Sequence, residues 1–108
     1  MKFSTSKKQL QSSLLKLSKV IPSRSTLPIL SNVLLSVKEN ESILRATDLE
    51  VSLKVKLPTS VERIGEITIP VHSILGIINE YNEDTRLTFE VLENKIIISS
   101  DKGSFEIM

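Results

Sequence analysis

Residues 21–32 read IPSRSTLPILSN, and the fold turns on this stretch. It carries Pro22 and Pro28, with Ser23, Ser25, Thr26 and Ser31 framing a single cation, Arg24. Proline locks its own φ and drives the preceding residue out of the helical region. Ile21 and Leu27 are therefore expected in extended or turn conformations. The stretch is a stiff connector that presents Arg24 at a defined place. Before it the apolar residues recur with the period of a helix; after it they recur with the period of strands.

On the N-terminal side, Leu10, Leu14, Leu17 and Ile21 fall at i, i+4, i+7 and i+11, one stripe of an amphipathic helix. Ser6 followed three residues later by Gln9 is a capping-box pattern. The spacing predicts a helix over 6–19, ended by Pro22, with Lys8, Ser12 and Lys19 on its far side and Lys16 at the flank. Residues 1–5, apolar at Phe3, are a first strand. On the C-terminal side, strands are predicted over 30–37, 42–47 and 49–57. In the last of these Val51, Leu53, Val55 and Leu57 alternate with Ser52, Lys54 and Lys56. Pro58 breaks the run, and 61–70 is a further strand centred on 65–69. Ile74, Ile77, Ile78 and Tyr81, widened by Leu75, predict a second helix that enters at Pro70 and ends near Asn82. Strands over 86–92, 95–99 and 104–108 complete the chain. Turns lie at 93–94 and 101–103, the latter with Gly103 where a positive φ is needed.

The order is β-α-β-β-β, twice. This internal repeat of about fifty residues is one of pattern, since the halves share almost no sequence identity. Neither half has enough core alone, so the halves are expected to pack on each other. The predicted fold is α+β, a duplicated β-α-β-β-β domain with two helices on one face of antiparallel sheet.

A chain of 108 residues is expected to be one domain, and its 40% hydrophobic and 25% charged residues suit a globular protein. Aromatics are few, so the core is aliphatic. The formal net charge of +1 gives no bulk signature of nucleic-acid binding, and any basic surface must be local. The absence of cysteine excludes disulfides, thiol catalysis and thiolate metal sites. No apolar run reaches membrane-spanning length and the N-terminus has no signal-like apolar region, so the expected location is cytoplasmic, with no membrane partner.

No catalytic constellation emerges. His72 is the only histidine and belongs to the first turn of the second helix, facing solvent. One histidine without cysteine does not make a metal site. Glu83 and Asp84 are loop residues, and Glu39 and Glu41 lie at a hairpin tip. No glycine-rich phosphate loop is present. The expected chain has no cofactor, no metal and no catalytic residue. Lys7, Lys8, Lys16 and Lys19 share one helix with no acidic residue. The bland reading is a solvated face; the functional one is contact with backbone phosphate, which lysines make as point charges without reading bases. Arg24 extends the same strip, while Ser73, Gly76 and Glu80 leave the second helix without positive charge. Asp48 is expected to cap a turn.

Met1-Lys2-Phe3, residues 24–32 (RSTLPILSN) and Thr47-Asp48-Leu49-Glu50, at their mutual spacing, resemble the N-terminal domain of the bacterial sliding clamp, the beta subunit of DNA polymerase III. The resemblance covers essentially the whole chain. It implies a non-catalytic processivity factor: three such domains form a subunit, and two subunits close head-to-tail into a ring around duplex DNA. Helices line the hole and sheets form the outer wall. By resemblance, Arg24 is the first DNA-contacting residue, followed by Lys8, Lys16 and Lys19. The last strand meets a second clamp subunit, with Phe105 and Ile107 on one face and Lys95 and Lys102 as basic partners at the boundary. Ser104 stands where a further basic residue is expected, and the uncharged second helix departs from the family pattern. The chain over 1–108 then corresponds to the first domain, with the later two, which carry the groove for polymerase and clamp loader, absent. The rivals are an interaction module that binds protein through edge strands and ignores DNA, and a small enzyme built around His72.

Overall fold

The computed structural model describes residues 1–19, 32–39, 41–47, 52–93 and 95–107. In chain order these form β1 (Lys2–Ser6), α1 (Lys7–Ser18), β2 (Asn32–Val37), β3 (Ser42–Thr47), β4 (Ser52–Leu57), β5 (Ser60–Arg63), β6 (Gly65–Pro70), α2 (Val71–Ile78), β7 (Arg86–Leu92), β8 (Lys95–Ser100) and β9 (Gly103–Ile107). The connector at 21–31, with Arg24, and the turn residues Asp48, Leu49 and Glu50 lie outside the described residues.

The predicted α+β architecture is present, with the antiparallel strands divided between two sheets ordered β5-β1-β7-β8-β9 and β4-β3-β2-β6. The duplication is visible in how the halves exchange strands. β1 leaves its own half to pair with β7, and β6 leaves its half to pair with β2. Each half thus completes the other's sheet, which is the physical form of neither having enough core alone. One contiguous apolar cluster draws on both helices and both sheets. It includes Leu10, Leu14 and Leu17 from α1 and Val71, Ile74, Leu75 and Ile78 from α2. Phe3 and Phe89, directly opposite in the β1–β7 ladder, stack at 5.0 Å and 14° inside it.

The first helix matches its spacing. The Ser6 hydroxyl accepts the Gln9 N–H at 3.2 Å and donates to Gln9 Oε1, fixing the N-terminus where the sequence placed it. The second helix is shorter than predicted and ends at Ile78. Glu80 N–H and Tyr81 N–H then donate three residues back, to Ile77 and Ile78, so the backbone tightens instead of stopping. Tyr81 is carried on to meet Phe105 edge-to-face at 6.0 Å. The helical period persisted in the sequence because Tyr81 still packs on the same side.

The predicted strand 61–70 is two strands. Arg63 pairs with Lys2 in one sheet and Gly65 with Val37 in the other, with exposed Ile64 between them. Its apolar alternation slips at Arg63 and Ile64, but such a slip also suits a bulge within one strand, so the pattern does not reveal the change of partner. At the β8–β9 turn Gly103 has φ +148°, as its position predicts.

Candidate functional site

Gln11 Nε2 donates to Asn79 Oδ1 at 2.6 Å, so α1 and α2 lie side by side, with α1 packed on β1, β3 and β4 and α2 on β6. Once α1 buries its leucine stripe, Lys8, Lys16 and Lys19 are left in solvent on the opposite face. The three line one shallow hollow with the exposed Leu15, and Glu83, from the loop after α2, stands at its rim. Lys7 departs from the sequence reading of a four-lysine face: it is buried at 6% exposure, where the start of α1 meets that loop. Glu83 is the counterpart that spacing alone did not reveal, since it is far from α1 in sequence. It reduces the attraction of the hollow for anions without cancelling three lysines. Among the described residues, no salt bridge involves Lys8, Lys16 or Lys19.

The N-terminus of α1 offers anions little besides these side chains. The Lys7 N–H donates to the Thr85 carbonyl at 2.8 Å, the Lys8 N–H to the Glu83 carbonyl at 3.2 Å and the Gln9 N–H to Ser6 Oγ. The otherwise free donors of the first turn are consumed within the domain, which removes the usual backbone cradle for phosphate. What remains is a face of mobile ammonium groups, suited to diffuse attraction.

The second predicted surface is β9, an edge strand. Phe105 lies opposite Ile98 and Ile107 opposite Ile96, so both point to the core side of the sheet. Phe105 nevertheless remains 41% exposed because the core ends there. Lys95 reaches Glu106 at 3.6 Å on the outer side, and Lys102 is exposed in the β8–β9 turn. Met108 lies outside the described residues.

His72 is exposed in the first turn of α2, as expected. Among the described residues, no three His, Cys, Asp or Glu side chains are grouped to hold a metal ion, and no helix is long and apolar enough to cross a membrane.

The family model described as the DNA polymerase III beta subunit, N-terminal domain, matches residues 1–108. The chain belongs to this sliding-clamp family. A beta sliding clamp of Vibrio harveyi is 36% identical over 99% of the chain and 74% of its own length. One from Pseudomonas putida is 37% identical over 82% of the chain and 24% of its own length. The chain thus spans about a quarter of that relative. Among solved structures, the DNA polymerase III beta subunit of Pseudomonas aeruginosa superposes with a TM-score of 0.86 at 32% identity, covering 98% of the chain and 29% of that protein. The Bartonella birtlesii sliding clamp gives 0.91 at 27% identity, covering 99% of the chain and 30% of its own. Sliding-clamp membership accounts for the two helices and the two antiparallel sheets together.

Proposed function

We propose that this chain serves as the first domain of a processivity clamp, a non-enzymatic ring that encircles duplex DNA and tethers a replicative polymerase. The observation that carries this reading is the lysine face of α1. Lys8, Lys16 and Lys19 converge on one open hollow while the helix that bears them is anchored by its leucines. Such a face attracts phosphate from any sequence. Three lysines tempered by Glu83 attract weakly, which suits a ring that holds DNA by encirclement and must slide on it. Tight neutralisation of many phosphates would brake it and make it steeply salt-dependent. In this reading Arg24 extends the strip from the connector.

The edge at β9 is the proposed contact with a second clamp subunit in a head-to-tail homodimer. Unpaired backbone groups and the half-covered Phe105 favour strand addition there. Ile107 would be covered by the same event. Lys102 is available for a partner's carboxylate, whereas Lys95 must first release or share Glu106. Contacts with polymerase and clamp loader belong to the later domains of the clamp. No cofactor enters the reading, and a cytoplasmic location suits it.

The test is a titration of isotope-labelled protein with duplexes of unrelated sequence at low salt. Shifts confined to α1 and the connector, alike for each duplex and reduced by Lys16→Ala and Arg24→Ala, support the clamp reading. Shifts that ignore both substitutions leave an interaction module that works through its edges.

A further inference from the structure

A second hollow, of about 580 Å³, shares Lys8 and Ser12 with the lysine hollow and is otherwise lined by Ser6, Gln9, Ser13 and Pro58. Lys8 and Ser12, one turn apart on α1, thus form a ridge between the two. Both walls of the second hollow are held from within the domain. The fully buried Thr5 donates its hydroxyl to the Pro58 carbonyl at 2.8 Å, and the Ser6–Gln9 cap fixes the first turn of α1. Among the described residues no carboxylate lines this hollow, whereas Glu83 stands in the other.

What the hollow offers is donors. Lys8 and Ser12 are exposed. Gln9 Oε1 accepts from Ser6, and the amide NH2 group beside it makes no hydrogen bond among the described residues. Ser13 decides the reading. Helix serines often turn back to a carbonyl one turn earlier, as Ser18 does to Leu15 at 2.7 Å. Ser13 is only 6% exposed, yet its hydroxyl makes no such bond among the described residues. None of their buried side-chain oxygens or nitrogens is sealed off without a partner, so the Ser13 hydroxyl keeps contact with the hollow it lines. Two hydroxyls, an amide and an ammonium stand here beside the positive end of the helix dipole. That set matches a ligand with negative charge and several acceptor oxygens.

We propose that this hollow seats a phosphate group. Its oxygens accept from the Ser12 and Ser13 hydroxyls, and its charge is met by Lys8. The group has more acceptor oxygens than a carboxylate, which suits the number of donors. The backbone N–H groups of the first turn are already consumed, so the seat is built from side chains. The phosphate belongs either to the backbone of duplex DNA, reached across the Lys8–Ser12 ridge, or to a free phosphate. The first source rests on the clamp reading; the seat itself does not.

Titration of isotope-labelled protein with inorganic phosphate, at ionic strength held constant with chloride, tests the seat. Saturable shifts are expected at Lys8, Gln9, Ser12 and Ser13. Ser12→Ala with Ser13→Ala should raise the apparent Kd about threefold to tenfold, and Lys8→Gln by a similar factor. Lys38→Gln, which removes the same charge at an exposed position outside the hollow, should leave it unchanged. Thermal melts verify folding, and Ser12→Ala alone, at an exposed position, serves if the pair unfolds. Shifts that never saturate, that chloride alone reproduces, or that survive the serine substitutions overturn the proposal. A second titration, with duplex DNA at low salt, separates the sources. Duplex that displaces phosphate from the seat identifies backbone phosphate. The serine substitutions should then weaken duplex binding without altering its salt dependence, which Lys16→Ala lowers by about one counterion. Duplex that shifts Lys16 and Lys19 but leaves phosphate in place identifies the free source. Seated phosphate with no duplex-induced shift anywhere upholds this inference and removes the clamp reading.

Discussion

Phe3 and Phe89 stand directly opposite each other across the β1–β7 ladder, with ring centroids 5.0 Å apart and each side chain 1% exposed. β1 comes from the first half and β7 from the second, so this stack holds the exchanged strand in place. Phe3→Ala removes a ring from a closed core and is expected to cost about 3–5 kcal/mol. That is a large part of the roughly 5–15 kcal/mol available to a domain. Phe3→Leu, which keeps most of the volume, should cost well under half as much. Urea denaturation followed by circular dichroism measures both, and equal losses would show that the aromatic contact, rather than the buried volume, holds β1.

The Gln11–Asn79 bond gives the helix pair a separate readout. Both partners lie at the surface, so its net worth is about 0.5 kcal/mol. In a double-mutant cycle, Gln11→Ala and Asn79→Ala should each destabilise slightly, and the double variant should lose less than their sum. Strict additivity would mean that the helices are aligned by their buried stripes alone.

Gly65 marks the change of sheet, and a Cβ built there would lie 2.7 Å from Met1 Cβ and 3.1 Å from its Cγ. Met1 is itself tied in, its carbonyl accepting the Val91 N–H at 2.9 Å. Gly65→Ala is therefore expected to cost about 1–3 kcal/mol through overpacking. A chain whose first residue is glycine, released from a fusion by proteolysis, should tolerate Gly65→Ala with much of that loss recovered. If the penalty is the same with glycine at position 1, the cause lies in the backbone.

Much of this was legible before any coordinates. The leucine stripe of α1, its Ser6 cap and the glycine at the β8–β9 turn follow from local rules that no long-range contact opposes, whereas the edge position of the last strand came from the family resemblance. What escaped depends on partners distant in sequence. Lys7 is buried by the loop at 83–85 and Glu83 is brought to the lysine hollow by the same approach, neither of which a helical wheel contains. The break at Ile64 escaped because the slip in phase at Arg63 and Ile64 also fits a bulge within one strand, and a local pattern does not say which sheet supplies the neighbour. Tyr81 extended the apparent second helix because packing, not backbone hydrogen bonding, preserves the period.

Lys8 and Lys16 occupy opposite ends of α1, and this separates stability from DNA attraction. Lys8 is exposed in the first turn, which holds no acidic residue, so its charge opposes the positive end of the helix dipole. Lys16, in the last turn, complements the negative end. Lys8→Gln should therefore stabilise by a few tenths of a kcal/mol and Lys16→Gln destabilise by a similar amount. For a domain of this size those changes correspond to melting-temperature shifts of about 1–3 °C in opposite directions. If the hollow attracts phosphate, both substitutions should weaken retention on polyanions, and each should lower the salt dependence of binding by about one counterion. Differential scanning calorimetry combined with elution from a heparin column reads the two effects separately. Opposed thermal shifts with parallel losses of retention would show that Lys8 is held at an unfavourable position for the sake of the surface. Retention unchanged in both would remove α1 from the DNA-facing role.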